Sequence, residues 1–352
     1  MTRLRSLIPL LVLGLTLVFG FGVLWTRHES SSPPKRAFYY WKTRWVGSPQ
    51  VQSTLSQNAI GTLYMRFFDV GWDEVGRAAH PISALEFASP VPERVEIIPV
   101  VYLVNNVFLN IPYRDVEQLA QNVGQKIDRM ASDQGIRFGQ VQIDCDWTDG
   151  SRRNYFHFAE LLNRQLQEQG KTLSATIRLH QVKYAERTGV PPVDRGMLMF
   201  YNFGRIQADA TRSSIFNAQD ASLYSSFIES YRLPLDVVLP LFSWTVHSRE
   251  GEVVGLSEEL TAEELDSFEG FQKLSPNRYT AQRSFFFHGR YFVRGDFIVI
   301  EETTPEMTQA AARLAKRGAG KKKYATVALF DLDERHLEKF EPATIGGVLG
   351  TF

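Results

Sequence analysis

Between Gln140 and Asp149 the chain reads QVQIDCDWTD. Val141, Ile143 and Cys145 alternate with Gln142, Asp144 and Asp146, the two-residue period of a β-strand. The second face is unusual. Two carboxylates side by side on an otherwise apolar strand repel each other and resist dehydration unless something compensates them. The open mouth of a barrel, where a substrate, a cation or a partner can reach them, is a setting that suits such a pair.

Outward from this stretch, strands and helices alternate. Before it, strands are predicted at residues 37–41 (AFYYW), 61–68 (GTLYMRFF) and 95–104 (VEIIPVVYLV). A polar helical stretch lies around 50–57, a small excursion at 82–87 and an amphipathic helix at 114–134. After it come a helix at 152–169 and strands at 171–178 (KTLSATIR), 196–202 (GMLMFYN) and 235–244 (LDVVLPLFSW). A helix around 221–231 precedes the last of these. An insertion follows at about 245–303, with strands expected at 283–287, 291–294 and 297–301. A helix at 305–317 then leads to a final strand at 324–332 (YATVALFDL).

Eight strands separated mostly by helices imply a parallel sheet, and eight such units in residues 37–352 imply a closed (β/α)8 barrel of the TIM type. The rival is an open, doubly wound sheet. That fold normally carries a glycine-rich phosphate turn after its first strand, and none follows Trp41. There is no P-loop, GxSxG elbow, HExxH helix or calcium loop either, and no cofactor is expected.

The 352 residues carry 39 basic and 39 acidic side chains, so nucleic acid is not the expected partner. The single cysteine, Cys145, can form no disulfide within the chain, and its place on the apolar face predicts a buried small residue. Arg3 and Arg5 precede an uncharged run from residue 6 to 26, closed by Arg27. As a helix that run spans about 30 Å, the thickness of a bilayer core. Residues 1–27 are therefore expected to be an uncleaved signal anchor, with a cleaved signal peptide as the alternative. The flanking charges place the N-terminus in the cytoplasm and the barrel outside the membrane. Residues 28–36, rich in Ser and Pro, are a short tether.

In a (β/α)8 barrel the carboxyl ends of the strands form the working rim. This chain places there Arg66 and Asp69, Tyr102 and Asn105, Asp144 and Asp146, Tyr201 and Asn202, Ser243 and Trp244, and Asp331 and Asp333. The fifth strand alternates Ser174, Thr176, Arg178 and His180 against apolar residues, so one whole face is polar. Each residue also has a plainer explanation. Arg178 could pair with Asp144 as a structural bridge, His180 could face water, Asp333 could cap a helix, and Trp244 could be a core plug.

The D-x-D-W of the fourth strand, the Tyr201-Asn202 end of the sixth and the LPLFSW of the seventh resemble the chitinase-like family 18 glycosidases. In that family the fourth strand reads D-x-x-D-x-D-x-E, and the glutamate is the general acid. Aligning Asp144 and Asp146 with the second and third acids puts Val141 at the first and Thr148 at the glutamate. A broader resemblance, covering nearly everything after Arg36, is to an uncharacterised bacterial family, domain of unknown function 3142. It rests on the FYYW start, the D-x-D strand, LPLFSW and the G-x-x-F-x-x-G-D segment at residues 289–296. Together these resemblances imply a sugar-hydrolase-like barrel outside the cytoplasm.

Two functions follow as expectations. One is a glycosidase-like enzyme acting on an envelope or extracellular polysaccharide, with Asp144 and Asp146 as its carboxyls. Arg178 would then hold Asp144 ionised and leave Asp146 partly protonated. Arg66, Asp69, Arg178, Tyr201, Asn202, Trp244 and Asp331 would bind substrate. The other is a non-catalytic carbohydrate-binding or scaffolding barrel, favoured by Thr148. A metal site of Asp144, Asp146 and His180 is a third and weaker idea.

Overall fold

The alternation in QVQID produces a strand, Gln140–Asp144, with Val141 and Ile143 turned outward to the helices and Gln142 and Asp144 turned inward. The computed structural model describes residues 32–201, 206–208, 212–258 and 260–352. The expected membrane anchor and residues 28–31 of the tether lie outside these residues. Among the described residues no helix is long and apolar enough to cross a membrane.

Eight parallel strands close the barrel: β1 (Lys35–Tyr40), β2 (Thr62–Asp73), β3 (Glu96–Leu103), β4 (Gln140–Asp144), β5 (Thr172–Arg178), β6 (Arg195–Met199), β7 (Leu235–Pro240) and β8 (Thr326–Phe330). Closure depends on β1, which pairs with β2 from Ala37↔Thr62 and with β8 from Lys35↔Thr326. An open sheet would leave both outer strands with a free edge, so the doubly wound alternative is excluded.

The helices follow from spacing. Arg152–Glu168 buries Tyr155, Phe158, Ala159, Leu162 and Leu166, a stripe at helical period, and each large apolar side chain contributes about 1.5–3 kcal/mol on burial. Pro305–Ala319 opens on Thr304, whose hydroxyl accepts from the Met307 N–H, and it buries a face of Ala311, Ala312, Ala315 and Ala319.

The barrel interior is polar in its middle layer. The Tyr39 hydroxyl donates to Gln142 Oε1, and the Gln142 amide donates to Ser174 Oγ at 3.2 Å. Tyr39 stacks on Tyr64 with ring centres 4.9 Å apart. At the amino-terminal end the buried Asp236 takes both prongs of Arg195, at 2.9 and 2.8 Å, and the main-chain N–H groups of Ala325 and Thr326. Four donors offset its dehydration.

Three expectations are corrected. The seventh strand stops at Pro240, and Ser243–Arg249 is a separate strand that begins the insertion. Thr303 makes this turn: its hydroxyl donates to the Phe242 carbonyl at 2.6 Å and accepts from the Phe242 N–H. Trp244 therefore belongs to the insertion and not to the end of a barrel strand. Second, the insertion strands at 283–294 form only a small hairpin, Phe285–Phe287 with Arg290–Phe292. The insertion's main sheet has five antiparallel strands, in the order Glu252–Ser257, Ser243–Arg249, Phe297–Glu302, Arg278–Ala281 and Phe271–Ser275. Third, the polar alternation of β5 ends at Arg178. A helix, Leu179–Lys183, starts there and carries His180 to the exposed surface.

Candidate active site at the barrel mouth

Asp144 and Asp146 are brought to the mouth as QVQID predicts, but they meet different partners. Asp144 is the last residue of β4 and is buried. Its Oδ1 accepts a 2.5 Å hydrogen bond from the Thr176 hydroxyl of the neighbouring β5. Asp146 lies beyond the strand end and its side chain is 54% exposed. Arg178 grips it with two prongs, Nε to Oδ1 at 2.6 Å and Nη2 to Oδ2 at 3.1 Å.

This reverses the expected division of labour. Arg178 is bonded to Asp146, and Asp144 is the carboxyl whose pKa is raised. Burial is the main cause and the nearby Asp146 charge adds to it; the Arg178 charge and the Thr176 bond act in the opposite direction. Arg178 itself loses hydration, yet the two acids more than offset that and hold it protonated. The result is a protonatable carboxyl under an open, cation-bound carboxylate.

Tyrosines flank the pair. Tyr102 is opposite Asp144 in the β3–β4 register, and burial together with the two acids pushes its phenol up to about 12. Tyr201, at the end of β6, is buried and pushed well above the usual phenol range, mainly by burial; its hydroxyl is 3.7 Å from Met199 Sδ. Both hydroxyls stay protonated and can donate. Asn202 lies outside the described residues.

The other predicted rim acids are each held by a neighbouring cation or ring. Arg66 binds Asp69 with two prongs, one of 2.6 Å, and its guanidinium lies 5.3 Å from the Trp41 ring. A bulge in β2 between Arg66 and Phe68 allows this close pairing. Asp333 is held well below the usual carboxylate range by Arg335 and Lys42, with Lys42 Nζ 3.0 Å away, against the opposing effect of burial. Burial pushes the Asp331 carboxyl up, and the His336 ring, 3.2 Å from it, draws it back.

An aromatic cluster that the sequence reading passed over completes the mouth. Phe330, at the end of β8, is within 5.5 to 5.8 Å of the rings of Trp41, Tyr39, Tyr201 and Phe242. Phe242 in turn meets Trp244 edge-on at 5.5 Å. Trp41 and Phe330 both occupy strand ends, so the rim rule could have found them. They were missed because an apolar residue ending an apolar strand looks like core. Among the described residues the buried Trp244 indole N–H meets no partner, and neither does Oε1 of Glu301, its register neighbour.

Thr148, the residue that the sequence resemblance aligns with a glutamate, supplies no acid. Thr148 is exposed in the turn that starts the 152–168 helix, its N–H donating to Ser151 Oγ at 2.9 Å. Trp147 points away from the mouth: its indole N–H donates to the Thr188 carbonyl at 3.0 Å and its ring stacks on Tyr155. Among the described residues no group of three His, Cys, Asp or Glu side chains could hold a metal ion, and His180 forms none with the acid pair.

No family model matches the chain and no curated protein matches it by sequence, so the resemblance to domain of unknown function 3142 gains no support. Solved structures do match. The spore cortex-lytic enzyme SleL of Bacillus megaterium superposes with a TM-score of 0.52 at 14% identity, covering 91% of this chain and 74% of that one. A chitinase from Chromobacterium violaceum gives 0.52 at 14% identity, over 90% and 99%. A chitinase-like agglutinin from Robinia pseudoacacia gives 0.50 at 12% identity, over 89% and 99%. The chain thus has the barrel fold of chitinase-like proteins.

Proposed function

We propose that the barrel mouth engages an envelope or extracellular polysaccharide and that Asp144 and Asp146 are its two working carboxyls. One observation carries this reading. The two acids occupy unlike environments, one buried with a raised pKa and one open against a guanidinium, the separation that lets a carboxyl pair supply a proton and a negative charge together. Trp41, Phe330 and Trp244 would stack sugar faces, and the Tyr102 and Tyr201 hydroxyls would donate to ring substituents or carbonyls. The basic-flanked apolar run near the N-terminus would anchor the chain in the inner membrane with the barrel in the periplasm or outside the cell. Release after cleavage is the alternative.

A second reading, a non-catalytic sugar-binding barrel, is favoured by a specific observation. Thr148 supplies no acid, and Asp69, Asp146 and Asp333 are each paired with a cation. Its fold neighbours include an agglutinin as well as enzymes. One experiment separates the two. The purified protein is incubated with bacterial polysaccharides while both reducing-end release and glycan retention are measured. Release that disappears in Asp144→Asn and Asp146→Asn supports hydrolysis. Retention without release supports binding, and neither would remove the carbohydrate reading.

A further inference from the structure

At the same rim, on the side of the insertion, three residues from separate segments line up in one hydrogen-bonded chain. Ser243 Oγ is 3.1 Å from His336 Nε2, and His336 Nδ1 is 3.2 Å from Asp331 Oδ1. Ser243 opens the insertion's first strand, His336 lies on the short helix Glu334–Leu337, and Asp331 directly follows β8. The main-chain N–H of Ser243 also donates to Nε2, at 3.2 Å. That bond fixes the tautomer: Nε2 is the acceptor, so Nδ1 carries the proton and donates it to Asp331.

The arrangement is supported from outside. Asp333 caps the helix, its carboxylate accepting from the Arg335 N–H at 3.0 Å, and Lys42 and Arg335 neutralise it. His336 and Asp331 are buried, whereas Ser243 is only partly so. A buried acid, a ring of fixed tautomer and a more open hydroxyl, in that order, are the parts of an activated serine nucleophile.

We propose that Ser243, His336 and Asp331 form an acyl-transfer site for ester-linked acyl groups on carbohydrate. The carbohydrate part rests on the polysaccharide reading of the neighbouring mouth; the nucleophile does not. Ser243 Oγ adds to the acyl carbonyl carbon while its proton passes to His336 Nε2. The bond from that carbon to the sugar oxygen then breaks, and the oxygen leaves with the proton from Nε2. Water, activated by the same ring, cleaves the acyl-serine to free acid and restores the hydroxyl. Asp331 is a positioning residue that holds the ring and its charge. The Ser243 N–H is engaged by His336, so the gain expected is that of a nucleophile with its base, about 10²–10⁴-fold.

The test treats the purified protein with a fluorophosphonate, a serine-directed probe, and maps the adduct by mass spectrometry. No glycan is present, so failure of the polysaccharide reading leaves the result intact. The expected result is one adduct on Ser243, lost in Ser243→Ala and formed about 10²-fold or more slowly in His336→Gln. Hydrolysis of 4-nitrophenyl acetate should follow the same order, and Asp331→Asn should lower kcat with KM unmoved. Circular dichroism verifies that each variant is folded. No adduct on Ser243 in the unaltered protein, which requires no variant to fold, overturns the proposal. So does undiminished labelling of folded His336→Gln.

Discussion

Arg178 binds Asp146 through two hydrogen bonds and leaves Asp144, on the same strand face, to the hydroxyl of Thr176. The two acids of one motif are thereby given different chemistry by two residues of the adjacent strand. Replacing Asp146 with Asn removes the charge from a two-pronged but half-exposed pair, so the fold should lose only about 0.2–1 kcal/mol in urea unfolding. Affinity for any glycan retained at the mouth should fall, as measured by titration calorimetry. An unaltered affinity would place the ligand elsewhere.

Asp144 has a definite pH signature. Its folded pKa lies above its unfolded value because burial disfavours the charge. The native state therefore holds the proton longer, and this group lowers stability as pH rises from about 4 through its folded pKa, with no further change above. Asp144→Asn escapes that penalty. The urea stability of the variant relative to the parent should therefore improve with pH across this window and then level off.

Thr176→Val keeps the shape of the side chain and removes its hydrogen bond to Asp144. The cost should be about 1–3 kcal/mol where Asp144 is charged, because the carboxylate then loses its donor. The carboxyl should also titrate at still higher pH, since that bond works against the upward shift. Carbon-detected NMR of the Asp144 carboxyl would measure both the direction and the size. A downward move would disprove the assignment.

In the insertion, Asp296 is a buried hub. Arg249 binds it twice at 2.8 Å, His247 is 2.7 Å away, and the Val293 N–H donates at 2.8 Å. These donors outweigh its burial and lower its pKa to about 2. A depressed carboxyl stabilises the fold above its unfolded pKa and loses that effect as pH falls from about 4 to 2. At neutral pH Asp296→Asn should cost about 2–3 kcal/mol, and the deficit should vanish near pH 2. Thermal unfolding at several pH values would show it.

Cys145 faces the helices and is fully buried, and burial pushes its thiol well above the ordinary range. Native protein should therefore resist iodoacetamide at pH 8, while unfolded protein should take up one equivalent. Rapid alkylation of the native state would mean that the β4 wall opens.

Much of the framework was legible because periodicity is local. Val141, Ile143 and Cys145 against Gln142, Asp144 and Asp146 announced a two-faced strand, and seven further segments repeated the strand–helix alternation that only a parallel sheet accommodates. The same local character produced the errors. Pro240 and the Thr303 clasp divide what looked like one strand through Trp244, and Thr303 is remote in sequence.

The sequence by itself determined which residue types stand at the strand ends and how they are spaced: the D-x-D pair, Thr148 just beyond it, the lone thiol and an eightfold alternation. Tertiary structure alone decided the pairings. Parallel pairing sets β4 beside β5 in a register that hands Arg178 to Asp146 and Thr176 to Asp144, and the return of the chain from the insertion through β8 brings Ser243, Asp331 and His336 within hydrogen-bond reach across 93 residues of chain. The physical reason is range. Side-chain period depends on neighbours one or two residues away, whereas the partner and dielectric that set a carboxyl's charge come from strands that meet only when the chain folds.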